Sequence, residues 1–212
     1  MQCLPGKLVL AILIAASTAR AAPPSKNLER AVRLYDKQDW MSAHIELHKV
    51  ASGEGGDDVA NIERAEFFVA KTMFQMGLYV ASRAMLERIT TKGTSHRYYT
   101  AAIKWYAALA EKLPLEIDVL LKYSAKDLQD PLLDSVRDQI MYRRGVMATS
   151  RSNHAGAMTD LKRVDKRSKL YPQVQLALGF VLARETRDAE ALAAFASVPG
   201  GGDTGDLAAL AA

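Results

Sequence analysis

Apolar residues recur along this chain at spacings of three and four, the period of a helix that buries one face. Leu28, Ala31, Val32, Leu34 and Tyr35 form one such stripe, and Trp40, Ala43, Leu47 and Val50 form the next. The polar run Asp36-Lys37-Gln38-Asp39 between them is short enough for a tight helix–helix turn. The loop Gly53-Glu54-Gly55-Gly56-Asp57-Asp58 then separates this pair from a second of the same design. There Ala65, Phe68, Val69 and Met73 share a face, Gly77-Leu78-Tyr79 turns the chain, and Ala81, Met85, Leu86 and Ile89 follow. Period-two runs of Val, Ile and Thr are scarce, so the pattern predicts an all-α protein.

A third pair is predicted over Tyr98 to Leu128. Its first helix carries Tyr98, Tyr99, Trp105 and Tyr106, and Pro114 stands where a partner helix over Leu115 to Leu128 would begin. This pair lacks the small residues of the others and reads as an atypical repeat or an insertion. Beyond Asp130-Pro131 come two segments in register. Gly145 and Gly179, Ala148 and Leu182, Ala157 and Ala191, Leu161 and Phe195, and Val164 and Val198 all lie 34 residues apart. A fixed period of tens of residues marks a stacked array. Asn27–Ala31 and Asn61–Ala65 are also 34 apart, but aligning the turns gives a step of 39, the Gly-rich loop accounting for the difference. Pro199-Gly200-Gly201-Gly202-Asp203-Thr204-Gly205 reads as a flexible linker and Asp206 to Ala212 as at most a short, poorly held helix, so residues 199–212 are expected to form a Gly-rich flexible tail.

These positions resemble the tetratricopeptide repeat, in which small residues on each helix of a pair permit close approach and bulky ones fill the seam. Leu178, Gly179, Leu182, Ala191, Phe195 and Val198 carry the resemblance in the last unit. Arg144, Gly145, Ala148, Ala157, Leu161 and Val164 carry it before that, with Arg144 departing from the apolar expectation. Val69, Ala70, Met73, Ser82, Leu86 and Ile89, and Arg30, Ala31, Leu34, Ala43, Leu47 and Val50, carry it upstream. The resemblance implies a right-handed α-solenoid of about five antiparallel helix pairs over residues 27–198. It also implies a concave groove for a peptide or protein segment, lined by Tyr35, Arg64, Phe67, Lys71, Phe74, Tyr99, Tyr106, Tyr142, Phe180 and Arg184.

Composition adds an address. Lys7, the apolar run Leu8 to Ala16 and Ala19-Arg20-Ala21 make the three-part pattern of a secretory signal, with cleavage expected after Ala21 and residues 22–26 as a lead-in. Cys3 precedes the apolar run, where it cannot serve as a lipoprotein cysteine, and it would leave with the leader. Removing the leader takes Lys7 and Arg20 and no acid, so the net charge of +4 falls by two. That balance gives no general attraction to nucleic acid. With the resemblance, export implies a scaffold or adaptor of the bacterial periplasm that binds another protein or itself.

Candidate chemistry is sparse. His44 and His48 share a helix face at the spacing of a metal clamp and support an alternative metal-dependent or enzymatic reading. Glu46, however, lies two residues after the first histidine rather than one, off the zinc-protease pattern. No Gly-x-Ser-x-Gly elbow or phosphate-cradling loop is present, so no enzyme activity and no cofactor are expected. Lys162-Arg163-Val164-Asp165-Lys166-Arg167-Ser168-Lys169 concentrates five bases around one acid, a composition that suits a helix end, an anionic partner or acidic lipid headgroups.

Overall fold

The computed structural model describes residues 23–113, 118–124 and 126–212, so the expected leader lies outside the described residues. All regular structure among them is helical. In order, the α-helices are α1 (Lys26–Asp36), α2 (Trp40–Ala51), α3 (Val59–Gln75), α4 (Tyr79–Thr91), α5 (Tyr99–Lys112), α6 (Arg137–Ser150), α7 (His154–Leu161), α8 (Tyr171–Arg184), α9 (Asp188–Ala196) and α10 (Gly202–Ala211). None of the described helices is long and apolar enough to cross a membrane.

Four helix hairpins, α1–α2, α3–α4, α6–α7 and α8–α9, share one turn. In each, a residue with positive φ follows the first helix: Gln38 (62°), Gly77 (77°), Ser152 (58°) and Thr186 (57°). The next N–H reaches back five residues, from Asp39 to Leu34 O, Leu78 to Met73 O, Asn153 to Ala148 O and Arg187 to Leu182 O. These are Schellman closures, which satisfy carbonyls that the helix end would otherwise leave bare. Asp39 and Asn153 then cap the second helix, accepting from the N–H groups of Ser42 and Gly156. The turns of the first two hairpins are 39 residues apart and those of the last two 34, the steps expected from the pattern of turns.

Each hairpin closes on a small residue. A Cβ added at Gly179 would lie 2.3 Å from Cε1 of Phe195, and one at Gly145 would lie 2.5 Å from Cγ of Leu161. The bulky residue of the second helix therefore rests directly on the backbone of the first, at the same place in two hairpins. In α3–α4 the buried Ser82 hydroxyl donates to Ala70 O at 2.8 Å, so even a polar residue here is satisfied within the seam. Hairpins pack on their neighbours in chain order, α2 on α3 and α7 on α8, and the first helices also touch, α1 with α3 and α6 with α8. The architecture is repeat-like.

Two expectations need correction. The third unit does not complete a helix hairpin within its described residues. After α5, residues 114–117 and 125 lie outside the described set. The remainder forms 3-10 turns at Asp118–Lys122, Asp127–Gln129 and Pro131–Leu133 in place of the α-helix predicted over 115–128. Local polar groups divert the chain: Ser124 donates its N–H and hydroxyl to Asp127, and Asp130 caps Leu132 N just before Pro131. The freed carbonyls go to two arginines of α6. Arg137 donates to the carbonyls of Leu128, Gln129 and Asp130. Arg144 donates to those of Leu120 (2.6 Å) and Tyr123 (2.8 Å), and its Nε meets buried Asp160 at 2.9 Å. The departure from an apolar residue at Arg144 thus serves the irregular segment.

The tail expected to be flexible carries α10, which packs against α8 and α9. Ala208 is buried, and Gly205 lies so close to the preceding loop that a Cβ would come 2.6 Å from Pro199 O.

Replacing Arg144 by leucine leaves Asp160 buried without a partner and bares two carbonyls. Chemical denaturation is expected to show a loss of about 3 kcal/mol, part of it recovered when Asp160→Asn is added. A loss within experimental error would mean that the pair does not hold the segment.

Candidate partner-binding face

The residues expected to line a groove fall into three groups on the first helices of the hairpins. On α3, Arg64, Phe67, Lys71 and Phe74 lie on adjoining faces because seven residues make nearly two turns. Lys71 Nζ sits 4.4 Å from the ring centroid of Phe68, 4.7 Å from Tyr35, 5.6 Å from Trp105 and 5.9 Å from Phe67. Arg64 lies over the other part of this surface, 5.7 Å from Phe68. Burial lowers the pKa of Lys71, opposed by the charge of Asp36. The ring faces offset part of the lost hydration.

The rings continue in both directions. Tyr35 meets Trp40 and Phe68 edge-on at 5.0 and 5.1 Å, and Phe74 meets Tyr79 and Trp105 at 5.2 Å each. Phe67 is mostly buried and stacks on Tyr98 at 4.9 Å. The aromatic row anticipated on α1 and α3 is therefore present, but its members mainly contact one another and Lys71.

On α5 the face is set one residue earlier than expected. Tyr98 and Trp105 join the row, whereas Tyr99 and Tyr106 look toward the irregular segment. Tyr106 has 0% exposure, so it leaves the groove set; burial pushes its hydroxyl up to about 12. Tyr99 donates to Asp127 at 3.2 Å, and burial together with the Asp127 charge raises its pKa to about 12. Helix α5 is apolar nearly all round, with Ala102, Ile103, Ala107, Leu109 and Ala110 also buried, so its stripe could not set the phase. The polar residues Lys104 and Glu111 carried the better signal, since with Trp105 and Gln139 they line an open hollow of about 350 Å³ between α5 and α6.

The third group is a hollow of about 450 Å³ between α6 and α8, lined by Val146, Thr149, Ser150, Ala177, Phe180 and Arg184. Phe180 is 43% exposed and Val146 37%, although Phe180 also meets Phe195 edge-on at 5.3 Å. Thr149 and Ser150 donate their hydroxyls to backbone carbonyls of their own helix, Gly145 O and Met147 O. Tyr142, one turn before Val146, is half-buried beneath the Arg143 guanidinium at 5.9 Å. The structure therefore unites Phe180 and Arg184 in one hollow, leaves Tyr142 outside its lining on α6, and keeps Tyr35, Arg64, Phe67, Lys71 and Phe74 as a separate cluster.

Elsewhere, His44 and His48 have ring centroids 6.1 Å apart, and burial, followed by the neighbouring imidazole, lowers the pKa of His44. Among the described residues no group of three or more His, Cys, Asp or Glu side chains converges on a point. A buried polar cluster ties α3 to the chain entering α5. Glu66 accepts from Lys92 Nζ at 2.7 Å and bonds His96 Nε2 at 3.1 Å, while His96 Nδ1 accepts the Tyr98 N–H. This leaves Nε2 as the donor of a neutral His96.

Comparison with protein-family models finds no match, and comparison with curated proteins finds none either.

The Glu66 cluster has a pH signature. Burial by itself would raise its pKa, but bonds from Lys92 and His96 outweigh it and hold the carboxyl below its ordinary value. Its stabilisation is present above the unfolded-state pKa, about 4.3, and is lost as pH falls through the lower folded-state value. Melting temperatures are expected to drop on that acid limb, and the drop should be shallower in Glu66→Gln. An identical acid limb in the variant would remove Glu66 from this role.

Proposed function

We propose that this protein is a non-enzymatic scaffold or adaptor of the bacterial envelope, a right-handed solenoid of tetratricopeptide type that holds a segment of another protein against its first helices. The recurrent Schellman turn and the Gly–Phe and Gly–Leu seams support the solenoid. The leader pattern in residues 1–21 supports export.

One observation carries the binding assignment: the hollow between α6 and α8 combines half-exposed Phe180 and Val146 with the Arg184 cation at one end. A partner fits by placing an apolar side chain between Val146 and Phe180 and an acceptor near Arg184, the anchor-in-pocket arrangement that concentrates binding energy in a few residues. The cluster around Lys71 has little apolar surface left to give, because its rings already cover one another. Its role in this reading is to hold α1, α3 and α5 together while leaving a cation facing the groove.

Photo-crosslinking residues placed at Phe180, Val146 and, on α9, the exposed Leu192 test the face directly in cells. Defined crosslinked products are expected at the first two positions and not at the third. Phe180→Ala should weaken the captured partner by about 2 kcal/mol, roughly thirtyfold, with the helical circular-dichroism signal unchanged. Crosslinks of equal yield at Leu192 would overturn the assignment.

A further inference from the structure

The turn from α7 to α8 carries a second surface, on the opposite side of α8 from the proposed groove. Ala177, Phe180 and Arg184 look into the groove hollow, whereas Tyr171, Leu178 and Leu182 fall about half a turn away around the helix. On that far side they contribute to a shallow hollow of about 280 Å³ whose walls also include Lys162, Ala193 and Ala194. The walls are mainly apolar. Among its polar members, Glu190 is engaged by Arg187 at 2.6 and 2.8 Å, and Ser197 donates to Gln175 at 3.1 Å.

Lys162 lines this hollow, and Lys166 and Lys169 follow it in the turn toward Tyr171; Arg163 instead lines a separate hollow with Leu128, Gln129, Arg137 and Met141. Of the acids near them, Asp165 pairs with Arg167 at 3.2 Å and Asp160 with Arg144 at 2.9 Å, while Asp138 accepts the Asp165 N–H at 3.3 Å. Lys162, Arg163, Lys166 and Lys169 are all exposed, and none forms an ion pair with a described residue. Bases in excess of the acids beside them, next to a partly apolar, tyrosine-edged recess, match an anionic amphiphile better than a wholly hydrophilic polyanion. The bases meet head groups, while the recess and Tyr171 meet the apolar boundary below them.

We infer that the α7–α8 turn, with Lys162, Lys166, Lys169 and Tyr171, docks this protein peripherally on a membrane surface rich in anionic lipid. Docking by this side leaves the Phe180 hollow facing away from the bilayer, available to a partner.

Co-sedimentation with vesicles tests it, using the protein as isolated from its expressing cells. Vesicles containing phosphatidylglycerol should bind it, and pure phosphatidylcholine vesicles should bind it far less. Binding should fall steeply as salt is raised. Neutralising Lys162, Lys166 and Lys169 together to glutamine should weaken binding about a hundredfold, at roughly fivefold per base. Phe180→Asp should leave it unchanged, which separates failure of this surface from failure of the groove. Equal binding by the triple variant, or no preference for anionic vesicles, overturns the inference. So does capture by polyphosphate or heparin without vesicle binding, which would mean that the recess contributes nothing.

Discussion

A glycine on the first helix under a bulky residue of the second sets the distance between the two halves of a hairpin. At Gly179 there is no room for even one added carbon beside Phe195, and Leu161 occupies the equivalent space over Gly145. With the helices this close, the Schellman turn needs only three residues to join them, and both ends of the turn are satisfied by backbone bonds. Close approach also leaves the opposite side of each first helix without cover from its own partner. That side meets the first helix of the next hairpin, α1 against α3 and α6 against α8, and the remaining strip between them is where the hollows open. The candidate binding face is a consequence of the seam.

Where the seam pattern lapses, the chain substitutes polar bonds for packing. The segment following α5 has no second helix among its described residues, and α6 supplies Arg137 and Arg144 to take its carbonyls. An ion pair buried this way is not a cheap source of stability, because both charges lose water. Its benefit here is positional: Arg144 joins α6, α7 and the 3-10 turns at one point. The Glu66–Lys92–His96 cluster does the same upstream, joining α3 to the chain that enters α5. The irregular unit is thus bracketed by two polar clamps, while the row of rings from Tyr35 to Trp105 runs across α1, α3 and α5.

The regular hairpins were legible because their residues agree at every level: period, turn chemistry and small–large pairing all point the same way. Gly77 announces its positive φ. Gln38, Ser152 and Thr186 adopt the same conformation without being glycine, and only alignment with Gly77 reveals them. The helix predicted over 115–128 failed for a physical reason. Leu120, Leu121 and Tyr123 have helical spacing, but Ser124, Asp127 and Asp130 offer the backbone side-chain partners that compete with a helix. Arg144 stood out as an exception, yet its reason lies more than twenty residues away, beyond any local pattern. For the site, Phe180 and Arg184 were readable from repeat phase, whereas Tyr99 and Tyr106 were misplaced because α5 is apolar around most of its circumference. Glycine content placed the first turn of α10 in a linker and hid its packing, for Gly205 is needed for contact with the Pro199 carbonyl rather than for freedom.

The claim on which the rest depends is that steric contact between Gly179 and Phe195 positions the hairpin, and a double-mutant cycle measured by denaturation tests it most directly. Gly179→Ala in the otherwise unchanged protein is expected to lose about 1–3 kcal/mol through overpacking. The same change in a Phe195→Ala background is expected to gain about 1 kcal/mol, the ordinary helix preference for alanine over glycine. Stabilisation by Gly179→Ala with Phe195 in place would contradict the account, because it would mean that the two helices are not held apart by that ring.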